Sequence, residues 1–201
     1  MTFTTILILV ALFAWLVYET IQDLKDQNLP AWFSLAMLIP GVILLAVNRS
    51  IWPALLTTAS VASTELYTQE KLPRWTAILC IVAPPALIVA LFPSLWPLAF
   101  GWELLAVLWL ANMIGGADAL AGLALLLFFP SAWMMVFAIL GGIVVWGVVL
   151  LVLKYRKDSA LRIWTLLSAK ARGGTFAGIG AYALAVLFFG VYLLATYGRV
   201  K

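Results

Sequence analysis

The sequence predicts an all-α, polytopic transmembrane bundle of about eight helices with its N-terminus outside. Three observations predict it. The first is composition: of 201 residues, 66% are hydrophobic and 10% charged, whereas soluble domains run near 45–50% apolar and about 25% charged. A water-soluble fold of this size has no interior large enough for that much apolar surface. The second is the form of the apolar runs, which are continuous rather than alternating and so predict helices, not barrel strands. In lipid only helices and closed barrels satisfy the backbone. The third is the placing of the basic residues. With the N-terminus outside, the inner loops hold nine of the 12 Lys and Arg residues: Lys25, Lys71, Arg74, Lys154, Arg156, Lys157, Arg162, Lys170 and Arg172. The outer side holds Arg49, Arg199 and Lys201, and the reverse orientation violates the positive-inside rule.

Taken in order, span 1 is expected over residues 2–21. It lacks a basic start and a small-residue cleavage site, so it reads as a retained span rather than a signal peptide. A polar segment from Gln22 to Pro30 follows. Span 2 is expected over 31–47, with a kink at Pro40-Gly41, and Asn48-Arg49-Ser50 reads as a tight turn. Span 3, over 51–64, is expected to be short, and residues 65–74 are polar. Span 4 covers 75–92, distorted at Pro84-Pro85, and residues 93–97 read as a turn. Span 5 covers 98–113.

The apolar piece at 119–129 is ended by Pro130. At about 1.5 Å per residue it is too short to cross a core of about 30 Å alone. Span 7 covers 131–153 and span 8 covers 176–197. Between them, residues 154–175 mix Leu161, Trp164, Leu166 and Leu167 with Arg156, Lys157, Arg162 and Lys170. That segment reads either as an interfacial amphipathic helix on lipid phosphates or as a solvated cytoplasmic linker helix. The chain is expected to be one transmembrane domain over residues 1–201, with no separate soluble domain and no internal repeat.

The inventory narrows the chemistry. There is no histidine and a single cysteine, Cys80. Ser-His triads, His metal sites, an internal disulfide and a Cys-x-x-Cys zinc site are excluded. No metal and no cofactor is expected. The net charge of +4 reads as membrane topology, not as a nucleic-acid surface.

Carboxylates at membrane depth are expensive, so each is a functional candidate. Of the eight acids, Glu70 and Asp158 lie in basic loops and Glu65 closes a span. Glu19, Asp23 and Asp26 are spaced four and three apart. On a continuing helix they share one face, which calls either for a hydrated acidic cavity at the inner end of span 1 or for a solvated helix end. Asp118 follows Gly115-Gly116-Ala117. Asp is a common helix N-cap, but a cap leaves the small residues unexplained, and small residues let backbone or substrate approach closely. Glu103, beside Trp102, is either a buried protonated acid or a partner of Asn112. Topology puts both the Asp23 and the Asp118 segments at the cytoplasmic face. Two neighbouring carboxyls that share one proton can activate water and split an amide without His or metal, which points to aspartic proteolysis.

The segment Asp23-Leu24-Lys25-Asp26-Gln27-Asn28-Leu29-Pro30 resembles the one after the first helix of prepilin and preflagellin peptidases, in which an Asp is followed seven residues later by Pro with an apolar residue before it. Gly115-Gly116-Ala117-Asp118 resembles the family's second motif, of Gly-x-Gly-Asp type. The resemblance covers the first 30 residues and about residues 112–130; elsewhere it is only helical and hydrophobic. It implies that Asp23 and Asp118 are the catalytic pair, supported by Glu19, Asp26, Gly115, Gly116 and Ala117. It implies an aspartic endopeptidase of the bacterial or archaeal cytoplasmic membrane that removes the basic leader of type IV pilin-like or archaellin-like precursors. Ala117 replaces the second Gly of the commonest motif, and Leu120 stands where many members have Lys. The cysteine-bearing cytoplasmic domain of the longer enzymes is absent, so peptidase activity without methyltransferase activity is expected. The expected partners are a prepilin-like substrate and membrane lipids, with no nucleic acid. Two other readings stand beside this one: a noncatalytic membrane scaffold or subunit of a larger complex, and a small proton-coupled transporter with Asp23 or Asp118 in a relay.

Overall fold

Continuous apolar sequence satisfies its backbone by helix, and all regular structure among the described residues of the computed structural model is helical. Those residues are 3–26, 31–111, 113–154 and 179–197. Eight α-helices follow one another: α1 (Phe3–Asp26), α2 (Ala31–Asn48), α3 (Ile51–Thr68), α4 (Arg74–Leu91), α5 (Trp96–Leu110), α6 (Gly116–Phe128), α7 (Trp133–Lys154) and α8 (Ile179–Tyr197). A single 3-10 turn, Pro93–Leu95, precedes α5. The expected amphipathic segment at 154–175 lies almost wholly outside the described residues.

Most boundaries fall within a few residues of expectation, and three differences are informative. The helix α3 is not short: its 18 residues match α2 and α4 in length. Its final turn, through Glu65 and Tyr67, is polar but still helix-competent, and Ser50 caps the start by accepting from the Trp52 N–H at 3.3 Å. The turn expected at 93–97 is already helical at Trp96, because Pro97 sits in the first turn of α5, where its missing N–H is harmless. The helix α1 runs past Ile21 to Asp26.

By length and composition, two of the described stretches, Thr4–Gln22 and Pro93–Leu110, are long and apolar enough to cross a membrane. Five further apolar stretches are 10–17 residues long.

The chain divides into two compact units, Met1–Leu29 with Phe137–Lys201, and Pro30–Val136. In the first unit α1 packs on α8. The buried residues of α1 are Leu9, Leu12, Leu16 and Glu19, a stripe with alternating steps of three and four. The helices α7 and α8 approach at glycines: a methyl at Gly142 would run into the Ala181 carbonyl, and one at Gly180 into the Trp146 indole. Small residues at a helix crossing let the two backbones approach closely.

In the second unit each helix packs on the next, and α6 returns to pack on α2, closing a ring of five helices. Every residue of α6 from Asp118 to Leu127 is buried. Its neighbours leave room for it: a Cβ at Gly41 of α2 would stand 2.9 Å from Leu127 Cβ, and one at Gly101 of α5 would stand 2.7 Å from Leu126 Cδ1.

A hydrogen-bond chain ties α3, α4 and α5. Pro85 has no N–H, so the carbonyl of Ile81, four residues earlier in α4, lacks its helical donor. The Ser60 hydroxyl of α3 donates to that carbonyl at 2.9 Å, and the Trp102 indole N–H of α5 donates to Ser60 Oγ at 2.8 Å. Ser60 and Trp102 are fully buried. Ser60→Ala leaves a buried donor and a buried acceptor unsatisfied, and is expected to destabilise the protein by about 1–3 kcal/mol. Reversible unfolding in detergent would measure it; wild-type stability would remove this chain from the account.

Candidate active site

Asp118 sits in the first turn of α6. The residue at the N-cap is Gly115, in the extended region at φ −73 and ψ 159, so the N-cap role weighed for Asp118 as the alternative to a functional one falls to its neighbour. Asp118 lies three residues on, and its Oδ2 accepts the Gly115 N–H at 3.1 Å. The Ala119 N–H closes the turn on the Gly115 carbonyl at 3.0 Å. An acid at this position reaches back to an orphan amide and meets the positive end of the helix dipole. The side chain is only 5% exposed.

The small residues ahead of it have distinct jobs. A Cβ at Gly116 would stand 2.9 Å from Trp109 Cζ2, so this glycine lets the helix start lie flat on an indole. A Cβ at Gly115 would stand 3.3 Å from Asp118 Oδ2, a tight but yielding neighbour. Ala117 is half-buried. Packing therefore accounts for Gly116, where close approach of substrate had been one expectation. Trp109 is the residue that sequence reasoning missed. The available signal was a bulky ring at the end of one helix and a glycine two turns of chain further on. Gly116→Ala is expected to cost about 1–3 kcal/mol, the usual range for overpacking, against about 1 kcal/mol or less for Gly115→Ala at the N-cap. Thermal melts of the two variants compare them directly, and equal melts would refute the assignment.

The other acids lie on α1. Glu19 is wholly buried, at 0% exposure, so the expected hydrated cavity does not reach its carboxyl. It occupies the buried stripe one turn beyond Leu16. The helix continues through positions 23 and 26, whose spacing continues the series 9, 12, 16, 19. The side chains of Asp23 and Asp26, and the Gln27–Pro30 segment, lie outside the described residues.

The structure thus groups Gly115, Gly116, Ala117 and Asp118 at the start of α6, and aligns positions 19, 23 and 26 along α1. Glu103 in α5 is half-buried, and its Oε1 has no hydrogen-bond partner among the described residues. Asn112, its expected partner, lies outside them. Among the described residues no three His, Cys, Asp or Glu side chains cluster as a metal site would require, and Cys80 is exposed. What the arrangement offers chemically is a carboxyl with one defined amide donor, largely shielded from water, at the positive end of a short helix.

No family model, curated protein or solved structure matches the chain.

Proposed function

We propose that the chain is a polytopic membrane protein and an intramembrane aspartic endopeptidase, with Asp23 and Asp118 as its catalytic pair. The membrane half of the reading rests on composition and on what the helices leave uncovered. Val47 and Trp75 are 78% and 81% exposed, and Leu79, Val144 and Val191 are also open. Lipid accepts such surfaces; water does not favour them.

The catalytic half rests on one observation above the others, the burial of Asp118 at the start of α6. That helix has 13 residues and is about 20 Å long, shorter than a hydrocarbon core of about 30 Å. Its N-terminus therefore lies below the level of the membrane surface when its other end is at the opposite interface. A carboxyl there is costly unless it does work.

The chemistry follows from sharing one proton between two carboxyls. The ionised carboxyl takes a proton from water as the oxygen attacks the peptide carbonyl. The protonated carboxyl gives its proton to the carbonyl oxygen. The resulting gem-diol collapses as its C–N bond breaks, the amine nitrogen takes a proton and the carboxyl pair returns to its singly protonated state. No metal or cofactor enters the balance. The substrate class is a membrane-inserted precursor with a short basic leader, for which the acids at positions 23 and 26, beyond the buried Glu19, supply the opposite charge.

Co-expression with a pilin-like precursor, read as a mobility shift, tests the reading: wild type shortens the precursor. Replacing the leader lysines by glutamine is expected to slow cleavage several-fold, since each Lys near an acidic surface is worth up to about 1 kcal/mol. An unchanged rate would remove the acidic stripe from substrate recognition.

A further inference from the structure

We propose that the end of the second unit opposite Asp118 carries a phospholipid anchor in which Arg49 holds a lipid phosphate of the outer leaflet. The inference rests on the membrane reading above, but not on the peptidase chemistry.

Three loops meet at that end: 49–50 between α2 and α3, 92–95 between α4 and α5, and 129–132 between α6 and α7. The last is the hub. Its Ser131 hydroxyl accepts from Arg49 Nη2 at 3.2 Å, and its Pro130 carbonyl accepts from the Leu98 N–H at 3.2 Å. Trp133, just beyond, tilts against Trp96 and Phe100 at centroid distances of 6.3 and 5.7 Å. Ser131 fixes one nitrogen of a guanidinium that offers five donors, and Arg49 remains exposed at the surface. Rings at the same end are open as well: Trp52, in the first turn of α3, and Trp96, Phe100 and Trp133 are all more than one-third exposed.

Charge makes the position distinctive. Arg49 is the sole Lys or Arg between Lys25 and Lys71, and none occurs between Arg74 and Lys154. Within the second unit it is therefore the one cation at this end among the described residues, on the side the positive-inside rule depletes. A cation kept there, hydrogen-bonded to a neighbouring hydroxyl at an end that also exposes aromatic rings, has the chemistry of a headgroup site. The planar fork matches phosphate oxygens, and the indoles occupy the interface where apolar ring and polar N–H are both satisfied. The occupant is a diacyl phospholipid: its phosphate takes the arginine and its first methylenes lie on the rings.

The test titrates purified protein in neutral detergent with phosphatidylglycerol, and reads bound lipid by native mass spectrometry. Arg49→Gln is expected to weaken binding about fivefold, the factor for one basic residue near an anionic headgroup. Arg49→Lys, which keeps the charge without the fork, is expected to lose about half as much on a logarithmic scale and serves if the glutamine variant folds poorly. Diacylglycerol, which has the tails without phosphate, is expected to bind wild type and Arg49→Gln alike, and millimolar inorganic phosphate not to displace the lipid. Equal phosphatidylglycerol binding by wild type and both variants would overturn the anchor and leave the membrane reading standing. Displacement by inorganic phosphate would also overturn it, in favour of a free-anion site. Protein that is monodisperse without detergent and binds neither lipid would instead bring down the membrane reading.

Discussion

Asp118→Asn is expected to abolish precursor cleavage, by at least about a thousandfold, while leaving the fold nearly as stable as wild type. The asymmetry comes from the hydrogen bond Asp118 makes. Its Oδ2 accepts the Gly115 N–H at 3.1 Å, and the amide oxygen of Asn can accept the same proton. What Asn lacks is the negative charge at the helix N-terminus, worth about 0.3–1 kcal/mol, and the ability to exchange a proton with water. Asp118→Ala removes the charge and the acceptor of the Gly115 N–H together, and is expected to destabilise by about 1–2 kcal/mol as well as to inactivate. Thermal unfolding beside the mobility-shift assay separates the two variants. A stable, inactive Asn variant assigns Asp118 to chemistry. Full processing by that variant would reduce Asp118 to a structural cap.

Asp23→Asn is expected to be as inactive as Asp118→Asn, and the double variant no worse than either. Residues that act as one unit are not additive: once one member of a proton-sharing pair is lost, the second has nothing left to do. Positions 19 and 26 flank 23 in the helical register of α1, so Glu19→Gln and Asp26→Asn are the fitting controls. They are expected to change cleavage by several-fold rather than a thousandfold. Single-turnover rates with a purified precursor would show it. If Asp26→Asn were the inactive variant and Asp23→Asn active, the pair would be misassigned by one turn of helix. If the double variant were much slower than either single, the two acids would act independently.

The helices were largely legible because the apolar runs are continuous rather than alternating, a pattern of helices and not of barrel strands. Ends were less so, for a definite reason. Hydropathy falls at Glu65 and at Gln22, yet helix continues to Thr68 and to Asp26, since polar residues at a helix end lose nothing by staying helical. That continuation is what puts positions 23 and 26 in register with Leu12, Leu16 and Glu19. The Asp118 cluster was legible as a chemical candidate from its residue types, but not its geometry. The cap at Gly115, the indole behind Gly116 and the shared hydroxyl of Ser60 all depend on pairings far apart in sequence. Local pattern carries no record of which ring a glycine will meet, or that Ser60 of α3 will serve the carbonyl orphaned by Pro85 in α4.

The central claim is that two acids nearly a hundred positions apart act together at the inner face of the membrane. Paired cysteine labelling tests it most directly. In a Cys80→Ser background, Asp23→Cys and Asp118→Cys are introduced together and the protein is held in sealed vesicles of known orientation. They are then probed with a short bifunctional thiol reagent and with an impermeant maleimide applied from either side. The predicted result is an internal cross-link, with both thiols reached only from the cytoplasmic side. Labelling of the two positions from opposite faces, with no cross-link, would contradict it.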